Sequence, residues 1–224
     1  SSLSGIDAFE VTDEVRPVLV GERTNVIGSR AFKRLIVDER WEEAAEVARK
    51  QVRGGAQIID VCLANPDRDE ASDMVRFLDK VTRMVRAPLM IDSTDDRVIE
   101  VALTYCQGKA IINSVNLENG LERFEKVCPL ARRFGAALVV GCIDEDKTQA
   151  MAVTRARKLA VAERSLEILT RDFGIPEEDI YFDPLVFPCG TGDQNFRGSA
   201  RETLTLKQRF SARLAMGWAA RSRP

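Results

Sequence analysis

The sequence predicts a parallel α/β fold, and three observations favour a (β/α)8 barrel over a doubly wound sheet. Short apolar runs alternate with amphipathic segments about every 30 residues, which is typical of βαβ units. The runs are apolar almost throughout, as expected for strands that are buried on both faces. Polar residues follow nearly every run, and no GxGxxG or GxxxxGK[ST] motif follows any of them.

Six predicted strands end on a carboxylate or an amide. The strands are VLVGE, AQIIDVC, LMID, AIINS, AALVVGC and DIYFDPLVF. The polar residues at or near their ends are Glu22, Asp60, Asp92, Asn113, Asp144 and Asp183. A single residue of this kind can simply begin a turn or cap the next helix. Six of them are better explained by a shared site, because the carboxyl ends of barrel strands meet at one face.

The first amphipathic segment, residues 38–56, has the period of a helix. Asp38 is its predicted N-cap, and Gly54 is its predicted C-terminal stop. Its apolar stripe consists of Trp41, Ala44, Ala45, Ala48 and Val52.

Four further helices are predicted between the remaining strands. They cover residues 69–85, 96–108, 120–135 and 152–174. Thr94 or Asp95 is expected to cap the second of these, and Gly108 to close it. Pro129 is expected to bend the third.

Composition limits both the cellular setting and the chemistry. The chain has 224 residues, is 45% hydrophobic and carries a formal net charge of -2, so it predicts one domain with no bias towards nucleic acid. It contains no apolar stretch long enough for a membrane span and no secretory signal at its start. Its five cysteines are scattered, which favours reduced thiols in a cytoplasmic protein.

The absence of histidine removes the commonest general base and every His-containing metal site. Without a CxxC pair, a metal site built from thiolates alone is not expected either. A rim of Asp and Asn suits a ligand that presents several N–H donors. A carboxylate can accept two parallel N–H bonds from an amino-pyrimidine edge, and a pterin offers such an edge.

Several segments resemble the folate (pterin-binding) domain of cobalamin-dependent methionine synthase. They are VGERTNVIGSRAFKRLI, GGAQIIDVCLANPD, MIDST, QGKAIINSVNLENG, GAALVVGCIDE and FDPLVFPCGTG. The resemblance covers roughly residues 4 to 203 in collinear order. Residues 1–16 are similar to that enzyme's interdomain linker, and residues 17–203 to its pterin-binding barrel.

The resemblance implies a barrel that binds 5-methyltetrahydrofolate and transfers its N5 methyl group to cob(I)alamin on another domain, as part of methionine synthesis from homocysteine. It places Asp92, Asn113 and Asp183 among the ligands of the pterin ring. The further binding positions that it implies are Glu22, Asn25, Asp60, Ser114 and Asp144. The implied partners are therefore a folate molecule and a cobalamin-binding domain, with no metal, nucleic acid or membrane.

The C-terminal segment departs from the family pattern, because neither a seventh nor an eighth strand is recognisable. Residues 204–224 form an atypical basic tail. From Arg197 to the end the chain has seven Lys or Arg residues and one acidic residue, Glu202. We therefore expect a barrel truncated after about six βα units, with a helical or irregular tail and with edges open to self-association. A basic amphipathic helix for a membrane or a nucleic acid is the alternative interpretation of the tail.

Two other functions remain open at the level of the sequence. One is a free-standing methyltetrahydrofolate–corrinoid protein methyltransferase, which the linker-like start of the chain disfavours. The other is a folate-binding module without turnover, since the family's seventh-strand Asn is missing. Dihydropteroate synthase is less favoured, because its later Lys and Arg strand motifs are not recognised.

Overall fold

The computed structural model describes residues 1–185 of the chain. The predicted basic tail, the last part of the predicted barrel domain from residue 186, and Cys189 lie outside these residues. The expectations of a helical tail and of missing seventh and eighth strands therefore remain predictions.

A six-stranded sheet forms the centre of the fold. Its strands are β3 (Val20–Gly21), β4 (Ile58–Val61), β5 (Leu89–Asp92), β6 (Ile111–Val115), β7 (Ala137–Gly141) and β8 (Ile180–Asp183). The pairs β3–β4, β4–β5, β5–β6 and β7–β8 are parallel. Each predicted strand is present, although the first is shorter than VLVGE.

The order of the strands identifies the architecture. Along the sheet the strands follow their order in the chain, from β3 to β8. A doubly wound sheet reverses its strand order at a switch point, and the described sheet contains no such reversal. The predicted fold class, a parallel α/β sheet with strands in the sequential order of a (β/α) barrel, is confirmed for the six strands of residues 1–185.

Six α-helices alternate with these strands in the described residues. They are α1 (Arg30–Val37), α2 (Trp41–Arg53), α3 (Glu70–Met84), α4 (Asp96–Tyr105), α5 (Glu122–Phe134) and α6 (Arg155–Arg171). Asp95 caps α4 as expected, since its carboxylate accepts from the backbone N–H of Arg97 at 2.9 Å. The helix α5 continues through Pro129.

The prediction for Asp38 is wrong. Two helices occupy this region, and Asp38 is the C-cap of α1, whereas α2 begins after Arg40. The sequence pattern missed α1 because it has only eight residues. Ser29 caps it, accepting from the backbone N–H of Phe32 at 3.2 Å. Glu39 takes a positive φ of 55° between the two helices, a conformation that breaks the helical path.

The segment predicted as a linker forms a short antiparallel hairpin, in which β1 (Ser2–Ser4) pairs with β2 (Ala8–Glu10). It contacts the chain just before β6, where Ser4 N–H donates to the carbonyl of Lys109 at 3.0 Å. The approach is close, because a Cβ added at Gly108 would lie 2.6 Å from the backbone carbonyl oxygen of Gly5 and 2.8 Å from that of Ser4. Glycine is therefore required at this contact.

Two compact units make up the chain. Of the described residues, 1–113 and 134–137 belong to the first unit, and 114–133 and 138–185 belong to the second. In the first unit the apolar stripes of α2 and α3 are buried as predicted, for example at Ala44 and Phe77. Of the helices in residues 1–185, none has the length and hydropathy needed to cross a membrane.

Candidate functional site

The first unit brings several of the predicted site residues together at the carboxyl ends of its strands. Asp60 lies in β4, Asp92 ends β5, and Asn113 lies in β6. Asp92 and Asn113 are paired in the parallel register, so their side chains point to the same face of the sheet. Asp60 is paired with Met90, two residues before Asp92, and therefore also shares this face.

The segment after β3 is fixed against the end of β4. The buried hydroxyl of Thr24 donates to the backbone carbonyl of Asp60. Gln51 of α2 supports the same segment, since its Oε1 accepts from the backbone N–H of Arg23 at 2.7 Å. These contacts place Glu22 and Asn25 beside the carboxylates of the neighbouring strands.

Asn25 connects two carboxylates from different strands. Its Nδ2 donates to Asp60 Oδ2 at 3.2 Å and to Asp92 Oδ2 at 3.3 Å. Its Oδ1 accepts from the backbone N–H groups of Ile27 and Gly28 at 2.9 and 3.0 Å. We call Glu22, Asn25, Asp60, Asp92 and Asn113 the acidic cluster.

Burial and repulsion by nearby carboxylates raise the pKa values of all three carboxyls in the acidic cluster. Burial first, and then the charge of Asp92, raise the pKa of Asp60 to about 8. The same two causes raise the pKa of Glu22 to about 7. Burial and the charge of Glu70 raise the pKa of Asp92 to about 6. These carboxyls therefore change their charge near neutral pH.

One oxygen of the acidic cluster lacks a partner. Asp60 is 2% exposed, and its Oδ1 is buried with no hydrogen-bond partner among the described residues. Buried carboxylate oxygens without a donor are costly. Asn113 is near enough that its amide lowers the pKa of Asp60.

Two neighbours of the acidic cluster were not predicted from the sequence. The thiol of Cys62 donates to Asp92 and thereby lowers the pKa of that carboxyl. Cys62 lies two residues after Asp60, so the period of a strand could have placed it on the same face. Glu70, in the first turn of α3, has a buried Oε1 without a partner in residues 1–185, and no sequence signal indicated it.

The second unit contains the other three predicted residues. Asp144 is 7% exposed and accepts from Arg157 Nη2 at 2.6 Å. Ser114 follows Asn113 in β6, so its side chain points to the opposite face of the strand. Because the two side chains face opposite sides of the strand, this alternation does not favour contact of both Asn113 and Ser114 with the same ligand.

Asp183 ends β8, and its Oδ1 accepts from the backbone N–H of Leu185 at 2.8 Å. Burial raises the pKa of Asp183, while this backbone donor and the charge of Lys158 lower it. Lys158 of α6 is fully buried and was not predicted from the sequence. It also lowers the pKa of the Cys142 thiol, which burial raises to about 12.

The four described cysteines are free, and Cys62, Cys128 and Cys142 are buried. Burial raises the pKa of the Cys128 thiol to about 12, so this group stays protonated near neutral pH. In the part of the chain up to residue 185, no group of three or more His, Cys, Asp or Glu side chains is arranged to hold a metal ion.

Comparison with known families gives one match that spans most of the chain. The family described as "Pterin binding enzyme" matches residues 21–220. This range includes every residue of the acidic cluster.

Solved structures share the fold at low sequence identity. The 7,8-dihydropteroate synthase from Vibrio fischeri ES114 is 17% identical, with a TM-score of 0.67 over 96% of this chain and 77% of that one. The Yersinia pestis DHPS with a pterine-sulfa conjugate is 15% identical, with a TM-score of 0.67 over 99% and 79%. The Thermus thermophilus dihydropteroate synthase in complex with 4-aminobenzoate is 24% identical, with a TM-score of 0.52 over 93% and 72%. At these identities the likeness is one of fold.

Proposed function

Because the chain belongs to the pterin binding enzyme family, we propose that its acidic cluster binds the pterin ring of 5-methyltetrahydrofolate. We further propose that the N5 methyl group passes to cob(I)alamin held by another domain. The chain would then act as the folate domain of a methionine synthase. The collinear motifs from VGERTN to FDPLVF, which resemble that domain, support this choice within the family.

The binding proposal rests on the carboxyls and amides that converge around Asp60, whose buried Oδ1 has no hydrogen-bond partner in residues 1–185. The pterin ring presents an amino group and a neighbouring ring N–H, which together match a carboxylate. The groups that surround Asp60 are other carboxyls and amides, from Glu22, Asn25, Asp92 and Asn113. A ligand that donates N–H bonds relieves their repulsion, whereas a ligand with negative charge at this position increases it.

The raised pKa values also suit the chemistry of the methyl group. A tertiary amine is a poor leaving group, so N5 must gain positive character before its methyl group is attacked. Cob(I)alamin supplies the nucleophile when it is bound by the other domain. The carboxyl groups of Glu22 and Asp92 have pKa values of about 7 and about 6, so either can hold a proton near neutral pH. The acidic cluster thus fixes the ring and keeps protons available beside it.

The proposal is tested first by calorimetry with 5-methyltetrahydrofolate and then by methyl transfer to added cob(I)alamin. Saturable binding of the folate, followed by methyl transfer to cob(I)alamin, would support both the binding site and the methyltransferase activity. Binding without transfer would favour a folate-binding module that no longer turns over. A parallel titration with 4-aminobenzoate addresses dihydropteroate synthesis, and its binding in place of the methylated folate would contradict the methyltransferase proposal.

A free-standing methyltetrahydrofolate–corrinoid protein methyltransferase makes the same prediction for folate. The two are separated by the methyl acceptor, because such an enzyme requires a corrinoid protein as partner. Transfer to a separately added corrinoid protein at a rate well above that to free cob(I)alamin would favour this alternative.

A further inference from the structure

Every hydrogen-bonding position of the Asn25 side chain is already used inside the protein. A side-chain amide has two N–H donors and an oxygen with two acceptor positions. The oxygen accepts from the backbone N–H groups of Ile27 and Gly28. The nitrogen donates to Oδ2 of Asp60 and to Oδ2 of Asp92. Asn25 therefore has no position left for a ligand unless it gives up one of these bonds.

The orientation of this amide is fixed by its surroundings. Rotating it by half a turn would point its NH2 group at two backbone N–H groups and its oxygen at two carboxylates. Both contacts would be repulsive, and the two backbone donors would lose their acceptor. Asn25 thus ties the segment after β3 to the ends of β4 and β5 in one arrangement.

The same arrangement determines which oxygen of Asp60 lacks a hydrogen bond among the described residues. Asn25 occupies Oδ2 of Asp60, and the buried Oδ1 of that residue is left without a partner in residues 1–185. We propose that Asn25 is a positioning residue whose amide holds Asp60 and Asp92 at one spacing for the ligand without binding the ligand itself. The identity of the ligand as a pterin rests on the proposed function. The geometry thereby assigns Asn25 a different role from the direct contact that the sequence suggested.

A second consequence concerns the charge of the acidic cluster. The Asn25 donors lower the pKa values of Asp60 and Asp92, in opposition to burial. The other groups that act on these two carboxyls are Glu22, Cys62, Glu70 and Asn113. Without the amide, both carboxyls hold their protons to higher pH. Their ionised forms, which accept N–H bonds, then become available only at higher pH.

Three variants separate positioning from simple contact. Asn25→Ser keeps a side-chain oxygen that can accept from the following turn but removes both donors to the carboxylates. Asn25→Asp keeps the acceptor and adds a further negative charge. Ser29→Ala is the matched control, because it removes the N-cap of α1 in the same segment without touching the acidic cluster.

Two measurements are made on each variant. Carboxyl ¹³C NMR titration of the ligand-free protein follows the apparent pKa values of the Asp60 and Asp92 pair. Calorimetry with 5-methyltetrahydrofolate from about pH 6 to about pH 9, a range that spans the raised pKa values, follows the affinity. For Asn25→Ser we expect about a tenfold loss of affinity near neutral pH, partial recovery as the pH rises, and raised apparent pKa values. Asn25→Asp should show a larger effect in the same direction, and Ser29→Ala only a lower melting temperature.

The proposal is overturned if Asn25→Ser binds folate as the unaltered protein does. It is also overturned if affinity falls equally at every pH while the carboxyl titration stays unchanged, since that pattern belongs to a direct ligand contact. If the unaltered protein binds no folate, the proposed function fails, and the carboxyl titration of Asn25→Ser still decides whether the amide controls the pair.

Discussion

Asp60→Asn is expected to stabilise the ligand-free protein at neutral pH while weakening its binding of folate. The direction of the stability change depends on whether the folded or the unfolded state holds the proton of Asp60. The unfolded chain releases the proton of Asp60 near its usual pKa of 3.8, whereas the folded protein holds it until its pKa of about 8. Between these values the unfolded state gains about 1.4 kcal/mol per pH unit relative to the folded state. Stability therefore falls as the pH rises from the lower of these pKa values to the higher.

The gap between the usual pKa of 3.8 and neutral pH gives an upper limit of about 4 kcal/mol for this loss. Relaxation of the protein around the charge reduces it, so we expect Asp60→Asn to add about 2–4 kcal/mol to the free energy of unfolding at neutral pH. Near the usual pKa of the carboxyl the substitution should change the free energy of unfolding little. Above the raised pKa of Asp60, where this carboxyl is ionised, folate affinity should fall by about 1–3 kcal/mol because a charge-assisted acceptor is lost.

The assay is urea unfolding of both proteins at steps of about one unit from about pH 4 to about pH 8, with Asp73→Asn as the matched control. Asp73 is 2% exposed, as Asp60 is, but Arg68 donates to both of its carboxylate oxygens, at 2.6 and 2.9 Å. Removing that charge leaves Arg68 with Glu39 alone, at 3.2 Å, and should cost about 1–3 kcal/mol. The two substitutions, at equally buried carboxylates, should therefore change the free energy of unfolding in opposite directions. The reasoning would be refuted if, at about pH 8, Asp60→Asn were no more stable than the unaltered protein. In that case the free energy of unfolding would also depend on pH equally in both proteins.

Asp183→Asn should weaken binding of 5-methyltetrahydrofolate by about 1–3 kcal/mol in calorimetry, and an unchanged titration curve would remove Asp183 from the site. Folate binding should persist in EDTA, because residues 1–185 present no metal-binding group of three or more side chains; loss of binding on chelation would reveal a metal site. Asp144→Asn should lower the melting temperature, since Arg157 loses the partner that it holds at 2.6 Å. A normal melting temperature with impaired folate binding would instead assign Asp144 to the ligand.

The strands and most helices could be predicted because their signals are local. Each strand of the sheet is an apolar run, and the stripes of α2 and α3 have the period of a helix. The helix α1 was missed because eight residues carry too little periodicity, and Asp38 then looked like the start of the longer helix. The hairpin of β1 and β2 was missed because each of its strands has only three residues. The hairpin is also held by backbone contacts with Arg86 and Lys109, which are distant in the sequence.

The site was predictable where a residue's role follows from its position in a strand. Asp60, Asp92 and Asn113 could be identified as cluster members because parallel strands bring their carboxyl ends together. The same alternation rule, applied more strictly, would have included Cys62 and separated Ser114 from Asn113. The bonds of Asn25 were not predictable, since they depend on the path of the turn that follows it.

The acidic cluster links the stability of the fold to the choice of ligand. Burying Asp60 beside Asp92 and Glu22 disfavours the folded state above the usual pKa of a carboxyl, because the unfolded chain then releases protons that the folded protein retains. Asn25 offsets part of this repulsion and leaves Asp60 Oδ1 unpartnered among the described residues. A ligand that brings N–H donors supplies what the protein lacks, so its binding should be accompanied by a flatter dependence of stability on pH. An anionic ligand group at the same position would add to the repulsion. Under the proposed function, the electrostatics of the acidic cluster would therefore favour a ring that donates several N–H bonds.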